Sequence, residues 1–380
     1  MGVGGRVCFA LATVLLSAGC SHATPHAVGT SKVETTPVRG AREIVRTVWP
    51  VDATVVWAWT AVDALGGTEH IVLTRDAGGS WSDVTPAGLT NQTGARRINS
   101  LFVLDAYHAW TTSGGIIDGA AQTVDSTADG GRHWSRLSRL PSPGCALDFV
   151  SPTRGWCVLD RATMGQDRIE LFATRDGGGT WRRINPPNAP PAGCDKDVEF
   201  TYGMLDWAVT ACLAGTPPIY RTRDAGAHWA KTTVQPPGGD LGSGAEFAGI
   251  PVVTSGRAAV AFDLDRQRTL IYRSSDRGGS WQPVRPPGRA SLWAVDIRTA
   301  QSWILIHADQ LLRTDDAGRT WTHTTMHHRF AAITNSYYDF APLIDFSTHS
   351  TGWVRELEPS RLWRTSTAGR TWTEVTIPRT

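Results

Sequence analysis

Six aspartates recur in one local setting through this 380-residue chain: Asp76, Asp129, Asp176, Asp224, Asp276 and Asp316. Each has Thr or Ser two positions before it, Gly two after it (Gly78, Gly131, Gly178, Gly226, Gly278, Gly318) and Trp five after it (Trp81, Trp134, Trp181, Trp229, Trp281, Trp321). A seventh copy keeps Gly369 and Trp372 but carries Thr367 in place of the acid. Repeated carboxylates suggest glycoside hydrolysis, which needs two of them flanking one bond. Here they come one per unit, at intervals of 53, 47, 48, 52, 40 and 51 residues when Thr367 is included. Their neighbours suit a tight turn between strands. The carboxylate accepts backbone N–H groups, the Gly permits positive φ, and the Trp anchors the outgoing strand in apolar surroundings. This reading is structural, and it makes no box aspartate catalytic. His133 and His228 replace the hydroxyl residue next to the Trp in the second and fourth copies, and Thr367 replaces the acid in the last, so those three turns are expected to be looser.

Other chemistry-bearing groups are sparser. Arg75, Arg175, Arg221, Arg223, Arg273, Arg313 and Arg364 lie in or just before the repeats. They read either as a basic stripe for an acidic partner or as amphipathic cover for strand edges, the second being the default. The longest connection, about 322–342, holds His327, His328, Arg329, Tyr337 and Tyr338 and is the candidate binding loop, with a solvated connection as the plainer alternative. Adjacent histidines point apart in an extended segment, so no metal site is expected. No nucleotide loop or Ser-centred elbow is found, and no cofactor is implied. Cys145, Cys157, Cys194 and Cys212 allow three pairings; Cys145 with Cys157 and Cys194 with Cys212 are preferred because each pair flanks a strand-turn-strand hairpin.

The elements that must carry these residues follow from a second repeat. Trp57, Trp110, Trp156, Trp207, Trp303 and Trp353 stand 18 to 25 residues before most of the repeat tryptophans, with Ala258-Ala259-Val260 filling the fifth slot. Alternating apolar pairs such as Leu101 and Val103, or Leu147 and Phe149, precede them as one face of a strand. Each unit therefore contains four strands; for the third, these are 145–150, 156–160, 169–175 and 181–184. With 39 Gly, 22 Pro and 17 Trp, the expectation is an all-β fold: a single seven-bladed β-propeller over residues 43–377, with four antiparallel strands per blade and the Asp turn between the third and fourth. A formal charge of +2 gives no broad footprint for nucleic acid.

The string Ser/Thr-x-Asp-x-Gly-x-Thr/Ser-Trp resembles the Asp-box, or BNR repeat, of sialidase-like propellers. That likeness would imply an arginine triad, a Tyr-Glu nucleophile and an Arg-Ile-Pro motif. The chain has no Arg-Ile-Pro, only six Tyr and nine Glu, and Arg183-Ile184-Asn185-Pro186 follows a box. A carbohydrate-binding or glycoside-hydrolysing propeller is thus the alternative. In repeat number and arrangement the chain looks most like the photosystem II stability and assembly factor family. That resemblance implies a non-enzymatic scaffold that binds a protein or envelope ligand in membrane-complex assembly.

The N-terminus supplies an address. Arg6, the apolar run 7–16 and Ser17-Ala18-Gly19-Cys20 read as an export signal over 1–19 and resemble a bacterial lipoprotein processing site. Residues 20–42, beginning at Cys20, would form a lipidated tether holding a monomer at the outer face of the cell membrane. Plain secretion, with Cys20 a bystander, is the alternative.

Overall fold

The computed structural model describes residues 43–378, apart from 63–67, 90–97, 115–121, 141–144, 162–167, 185–194, 202–204, 212–217, 235–244, 248–250, 265–267, 289–293, 331–342 and 357–360. Its strands run in chain order. The first sheet is β1 (Ile44–Pro50), β2 (Val56–Ala61), β3 (Glu69–Thr74) and β4 (Ser82–Asp83), and the second β5 (Ile98–Val103), β6 (Ala109–Ser113), β7 (Thr123–Thr127) and β8 (Ser135–Arg139). The third is β9 (Cys145–Phe149), β10 (Gly155–Arg161), β11 (Arg168–Thr174) and β12 (Arg182–Ile184), and the fourth β13 (Asp195–Thr201), β14 (Leu205–Ala211), β15 (Pro218–Thr222) and β16 (Trp229–Thr233). The fifth has β17 (Ala245–Phe247), β18 (Val252–Thr254), β19 (Arg257–Leu264), β20 (Arg268–Ser274) and β21 (Gln282–Val284). The sixth is β22 (Ala294–Ile297), β23 (Trp303–His307), β24 (Gln310–Thr314) and β25 (Thr322–Thr325), and the last β26 (Leu343–Asp345), β27 (Gly352–Glu356), β28 (Arg361–Thr365) and β29 (Thr373–Val375).

The fold is an all-β propeller of antiparallel, four-stranded blades, each built from contiguous chain. The fifth sheet counts five strands because its first is broken. β17 pairs the far end of β19 at Phe247–Phe262, while β18 pairs its start at Val252–Ala259. Expected and observed strands of the third unit agree to within a residue or two, and Ala259 occupies the slot of the missing tryptophan, opposite Arg273.

Packing explains why the middle strands are apolar on both faces. Each buried cluster interleaves side chains from successive sheets: Trp57 and Leu73 meet Leu101 and Val103, and Val260 and Tyr272 meet Ile219. Trp303 joins Ala259 and Ile271. The last cluster joins the last sheet to the first, with Val45, Val56 and Val72 packed against Trp353, Leu362 and Ile377. Glu43 N donates to Ile377 O at 3.4 Å, and Arg355 Nη1 donates to Val45 O at 2.9 Å. The last strand of each sheet is the most exposed, as in Ser82–Asp83 and Thr322–Thr325.

The repeat turn is itself an inter-sheet contact. Gly131 has φ of 80°, and a methyl built on it would lie 2.5 Å from Val84 Cβ of the preceding sheet. Gly78 (φ 89°) faces Val375 of the last sheet at 2.8 Å in the same sense. The residue before this glycine is also left-handed, although it is commonly alanine: Ala77, Ala225, Ala317 and Ala368 have φ of 57–61°. Gly131→Ala should therefore destabilise by about 2–4 kcal/mol, combining the φ penalty with overpacking. Ala77→Gly should stabilise by up to about 1 kcal/mol, because a Cβ is disfavoured in the left-handed region. Chemical denaturation of the two variants checks both signs.

Candidate functional site

The recurring aspartates sit in the turns after the third strand of six sheets, and both oxygens of each accept donors from the same turn. Asp76 Oδ1 accepts Thr74 Oγ1 at 2.7 Å and Ser80 N at 2.8 Å, while Oδ2 accepts Ser80 Oγ at 2.6 Å. Thr74 Oγ1 in turn accepts Gly78 N at 2.9 Å. Asp176, Asp276 and Asp316 repeat the arrangement with Thr174 and Thr180, Ser274 and Ser280, and Thr314 and Thr320. Donors of this kind favour the ionised carboxylate. Asp76 is brought down to about 2 by Ser80 Oγ first, and Asp129 and Asp176 to about 2 by the backbone N–H groups of His133 and Thr180 first. Asp276 is brought to about 2 chiefly by Ser274, and Thr320 holds Asp316 well down.

The histidine turns are not loosened. His133 N donates to Asp129 Oδ1 at 2.9 Å, and its Nδ1 sits 2.6 Å from Oδ2; His228 holds Asp224 at 2.8 and 2.6 Å. An imidazole Nδ1–H replaces the serine or threonine hydroxyl as the second donor. For Asp224, burial raises the carboxyl, but the His228 bonds outweigh it and the net shift is downward. Thr367 keeps part of the pattern: its Oγ1 accepts Thr371 N at 2.9 Å and meets Thr371 Oγ1 at 2.8 Å. One hydroxyl oxygen stands there for the two of a carboxylate.

A second recurring turn, between the first and second strands, went unread in the sequence. Asp52 Oδ1 accepts Thr54 N and Val55 N at 2.7 and 2.8 Å; Asp105 does the same for Tyr107 and His108, and Thr348 for Ser350 and Thr351. The carbonyl so presented receives the repeat turn of the same sheet: Ala77 N to Thr54 O, Gly130 N to Tyr107 O, Gly177 N to Thr153 O and Ala368 N to Ser350 O, all at 2.8–2.9 Å. The sign was available as Asp, Ser or Thr four or five residues before each buried tryptophan: Asp52, Asp105, Ser151, Thr299 and Thr348.

Several of the sequence-noted arginines act between sheets, a role neither reading anticipated. Arg221 Nη1 donates to Arg277 O at 2.9 Å, Arg273 Nη1 to Ala317 O at 3.0 Å and Arg75 Nη2 to Ala106 O at 3.1 Å, each acceptor lying in the next sheet. Arg313 Nη1 reaches His349 Nδ1 of the last sheet at 2.9 Å. Trp110 Nε1 does the same work in the second sheet, reaching Gly177 O at 2.8 Å. In the third sheet, Ala173 stands where Arg221, Arg273, Arg313 and Arg364 stand in the later ones. A cavity of about 740 Å³ opens there, between the third and fourth sheets. It is lined by Arg154, Arg175, Arg182, Trp181, Ile184 and the Asp224–Ala225 turn, among others.

Of the candidate binding loop, 322–325 is the strand β25, and the following residues pack inward. Met326 and Phe330 are buried in the cluster shared by the last two sheets, and Trp372 Nε1 donates to Met326 Sδ at 3.3 Å. His328 lies half-buried on the Trp363 ring, centroids 3.9 Å apart, and burial pushes its imidazole below the ordinary value. His327 and Arg329 are exposed, with Arg329 3.7 Å from Asp309. Tyr337 and Tyr338 lie outside the described residues, as do Cys20, Cys194, Cys212 and the side chain of Cys145. Among the described residues no three His, Cys, Asp or Glu side chains gather as a metal site, and no helix is long and apolar enough to cross a membrane.

These features define a β-propeller whose repeated acidic turns are wired into the scaffold. Among solved structures it is similar to YCF48 bound to D1 peptide (TM-score 0.53, 15% identity, 90% of this chain and 95% of that one). It is also similar to YCF48 from Cyanidioschyzon merolae (0.51, 11%, 86% and 94%) and to a polysaccharide lyase, the PL25 ulvan lyase (0.54, 10%, 89% and 96%). At such identities the likeness is one of fold. No protein-family model and no curated protein sequence matches the chain.

The depressed carboxyls carry a pH consequence. Their folded values lie below the ordinary 3.8, so the stability they contribute is complete above about pH 4 and is lost as pH falls toward 2. Thermal melts across pH 2–6 should show this fall, and Asp76→Asn should flatten it. His133→Ser should retain the wild-type melting temperature at pH 7, and His133→Ala should lower it.

Proposed function

We propose that the chain is a seven-bladed Asp-box propeller that acts as a binding scaffold for a protein or envelope ligand. In this reading it is held outside the cell membrane by a lipidated Cys20 and the 20–42 tether, and it catalyses no glycoside hydrolysis. The observation that carries the reading is the wiring of the recurring acids. Their oxygens are occupied by donors of their own turns, and a carboxyl held near 2 is a poor proton donor at neutral pH. The similar structure of YCF48 is described as bound to a D1 peptide, which supports a peptide or protein ligand here. The likeness to the ulvan lyase and the arginine-lined cavity favour, as the second reading, a carbohydrate-binding or carbohydrate-cleaving propeller.

The same reading includes two disulfides suited to an oxidising compartment. Cys157, fully buried on β10, pairs with Leu147, and Cys145 pairs with Leu159, so the two cysteines are diagonal neighbours of one hairpin. In the next sheet Asp195 lies opposite Ala211, the chain neighbours of Cys194 and Cys212.

Detergent fractionation should place the wild-type chain with membranes and Cys20→Ser in the soluble fraction. Cross-linked purification from those membranes should recover a stoichiometric partner. Non-reducing peptide maps should show Cys145–Cys157 and Cys194–Cys212. Turnover of fluorogenic sialosides, glucosides or uronides by the purified chain would overturn the scaffold reading.

A further inference from the structure

Each repeat turn has three positions that the repeated string leaves unspecified, the second, fourth and sixth. Across the seven turns these are occupied by one arginine apiece: Arg75, Arg132, Arg175, Arg223, Arg277, Arg319 and Arg370. Arginine makes up 34 of the 380 residues, so composition alone would fill about two of those 21 positions. The position wanders between second, fourth and sixth while the residue type is kept, so the turn geometry itself does not require it. All seven are exposed. Only Arg75 bonds another group, Ala106 O; the other six side chains make no hydrogen bond or ion pair among the described residues. They are not counter-ions to the aspartates beneath them: no ion pair joins them among the described residues, and each carboxylate is held by N–H and O–H groups of its own turn. The result is a ring of seven exposed guanidinium groups on one face of the propeller, all but that of Arg75 unpaired among the described residues.

A cleft opens on that face beside Ala173, between the repeat turns of the third and fourth sheets. Arg175 of the ring lines it together with Arg154 and Arg182, against a single carboxylate, Asp224. Thr180 adds a hydroxyl and Trp181 a half-buried indole. Arg154 lies over the Trp156 ring, 5.4 Å from its centroid. Guanidinium forks grip carboxylate, sulfate or phosphate, and the cleft volume falls within the range of small-ligand sites.

We propose that this face binds an acidic polysaccharide, with the cleft between the third and fourth sheets holding one anionic sugar unit and the arginine ring engaging the rest of the chain. A repeating polyanion matches a charge that repeats once per sheet. A concave site is closed to a flat bilayer, and Tyr107 is the one large exposed aromatic among the described residues available to enter a membrane. The proposal rests on the carbohydrate-binding reading of the same cleft given above; membrane fractionation and partner recovery test the protein-scaffold reading separately, so the two can fail independently.

The test is titration calorimetry of the full chain with a glucuronate-containing oligosaccharide, its neutral counterpart, inorganic phosphate, and vesicles of anionic or zwitterionic lipid. The acidic saccharide should bind and the neutral one should not, with affinity falling steeply from 50 to 300 mM salt. Arg175→Glu with Arg182→Glu should weaken it about tenfold or more while leaving the melting temperature unchanged. Arg361→Glu, outside the ring and the cleft, should leave it intact. Equal binding of the neutral saccharide, binding confined to phosphate or to anionic vesicles, no binding of the acidic saccharide, or indifference to the paired charge reversal would each overturn the proposal.

Discussion

The architecture depends on how each acidic turn meets the sheet before it. Two features of one short segment face that neighbour. The bare Cα of the second left-handed residue lies against an aliphatic side chain, as Gly131 does on Val84 and Gly78 on Val375. The carbonyl of the residue before it accepts a donor from the preceding sheet: Gly177 O from Trp110, Arg277 O from Arg221 and Ala317 O from Arg273. Both depend on two consecutive left-handed residues, a conformation that costs energy wherever a Cβ is present. The hydroxyl and carboxylate holding the turn from inside offset that cost. The aspartate therefore governs packing that it does not itself touch.

Because every junction is built from local turns and a single reaching side chain, junctions can differ without altering the sheets. Arg, Trp and Thr all serve as the reaching group, as Thr232 shows by donating to Gly279 O. Between the second and third sheets the junction is aromatic, with Trp110 stacked on Phe149 at 3.8 Å and Ser138 Oγ bonded to Gly178 O. Between the third and fourth no arginine precedes the turn, and space remains instead of a clamp. Leu73 and Ser126 hold the same slot in the first two sheets, so the arginine clamp belongs to the later sheets, and the space beside Ala173 is lined by Arg154, Arg175 and Arg182.

Much of this was legible from spacing. The Thr-Asp-Gly-Trp string, the buried tryptophan ahead of it and the alternating apolar pairs located strands to within a residue or two, because each is imposed by backbone geometry. What escaped has physical reasons. His133 and His228 looked like defects because residue type was read as hydroxyl or not, whereas the turn needs only a donor at the right reach, and imidazole Nδ1–H supplies it. The Asp52-type turn was missed because Asp, Ser and Thr alternate in it, so no single letter repeats. The arginines were read as surface charge because a guanidinium bonded to a carbonyl in the next sheet looks no different in sequence from one in water. Met326 and Phe330 sat unnoticed among the histidines of a supposedly open loop, although they are the apolar residues that fix where it runs.

These constraints shape what the molecule can do. Groups spent on closing turns and joining sheets are held at fixed protonation and fixed position, which suits a rigid platform better than acid–base chemistry. Chemistry that varies must then come from positions the turns leave free. There the chain places exposed arginines, which carry a planar donor fork and a charge that does not titrate near neutral pH. The sheets set the separation of the guanidinium groups, and the turns only hold them out.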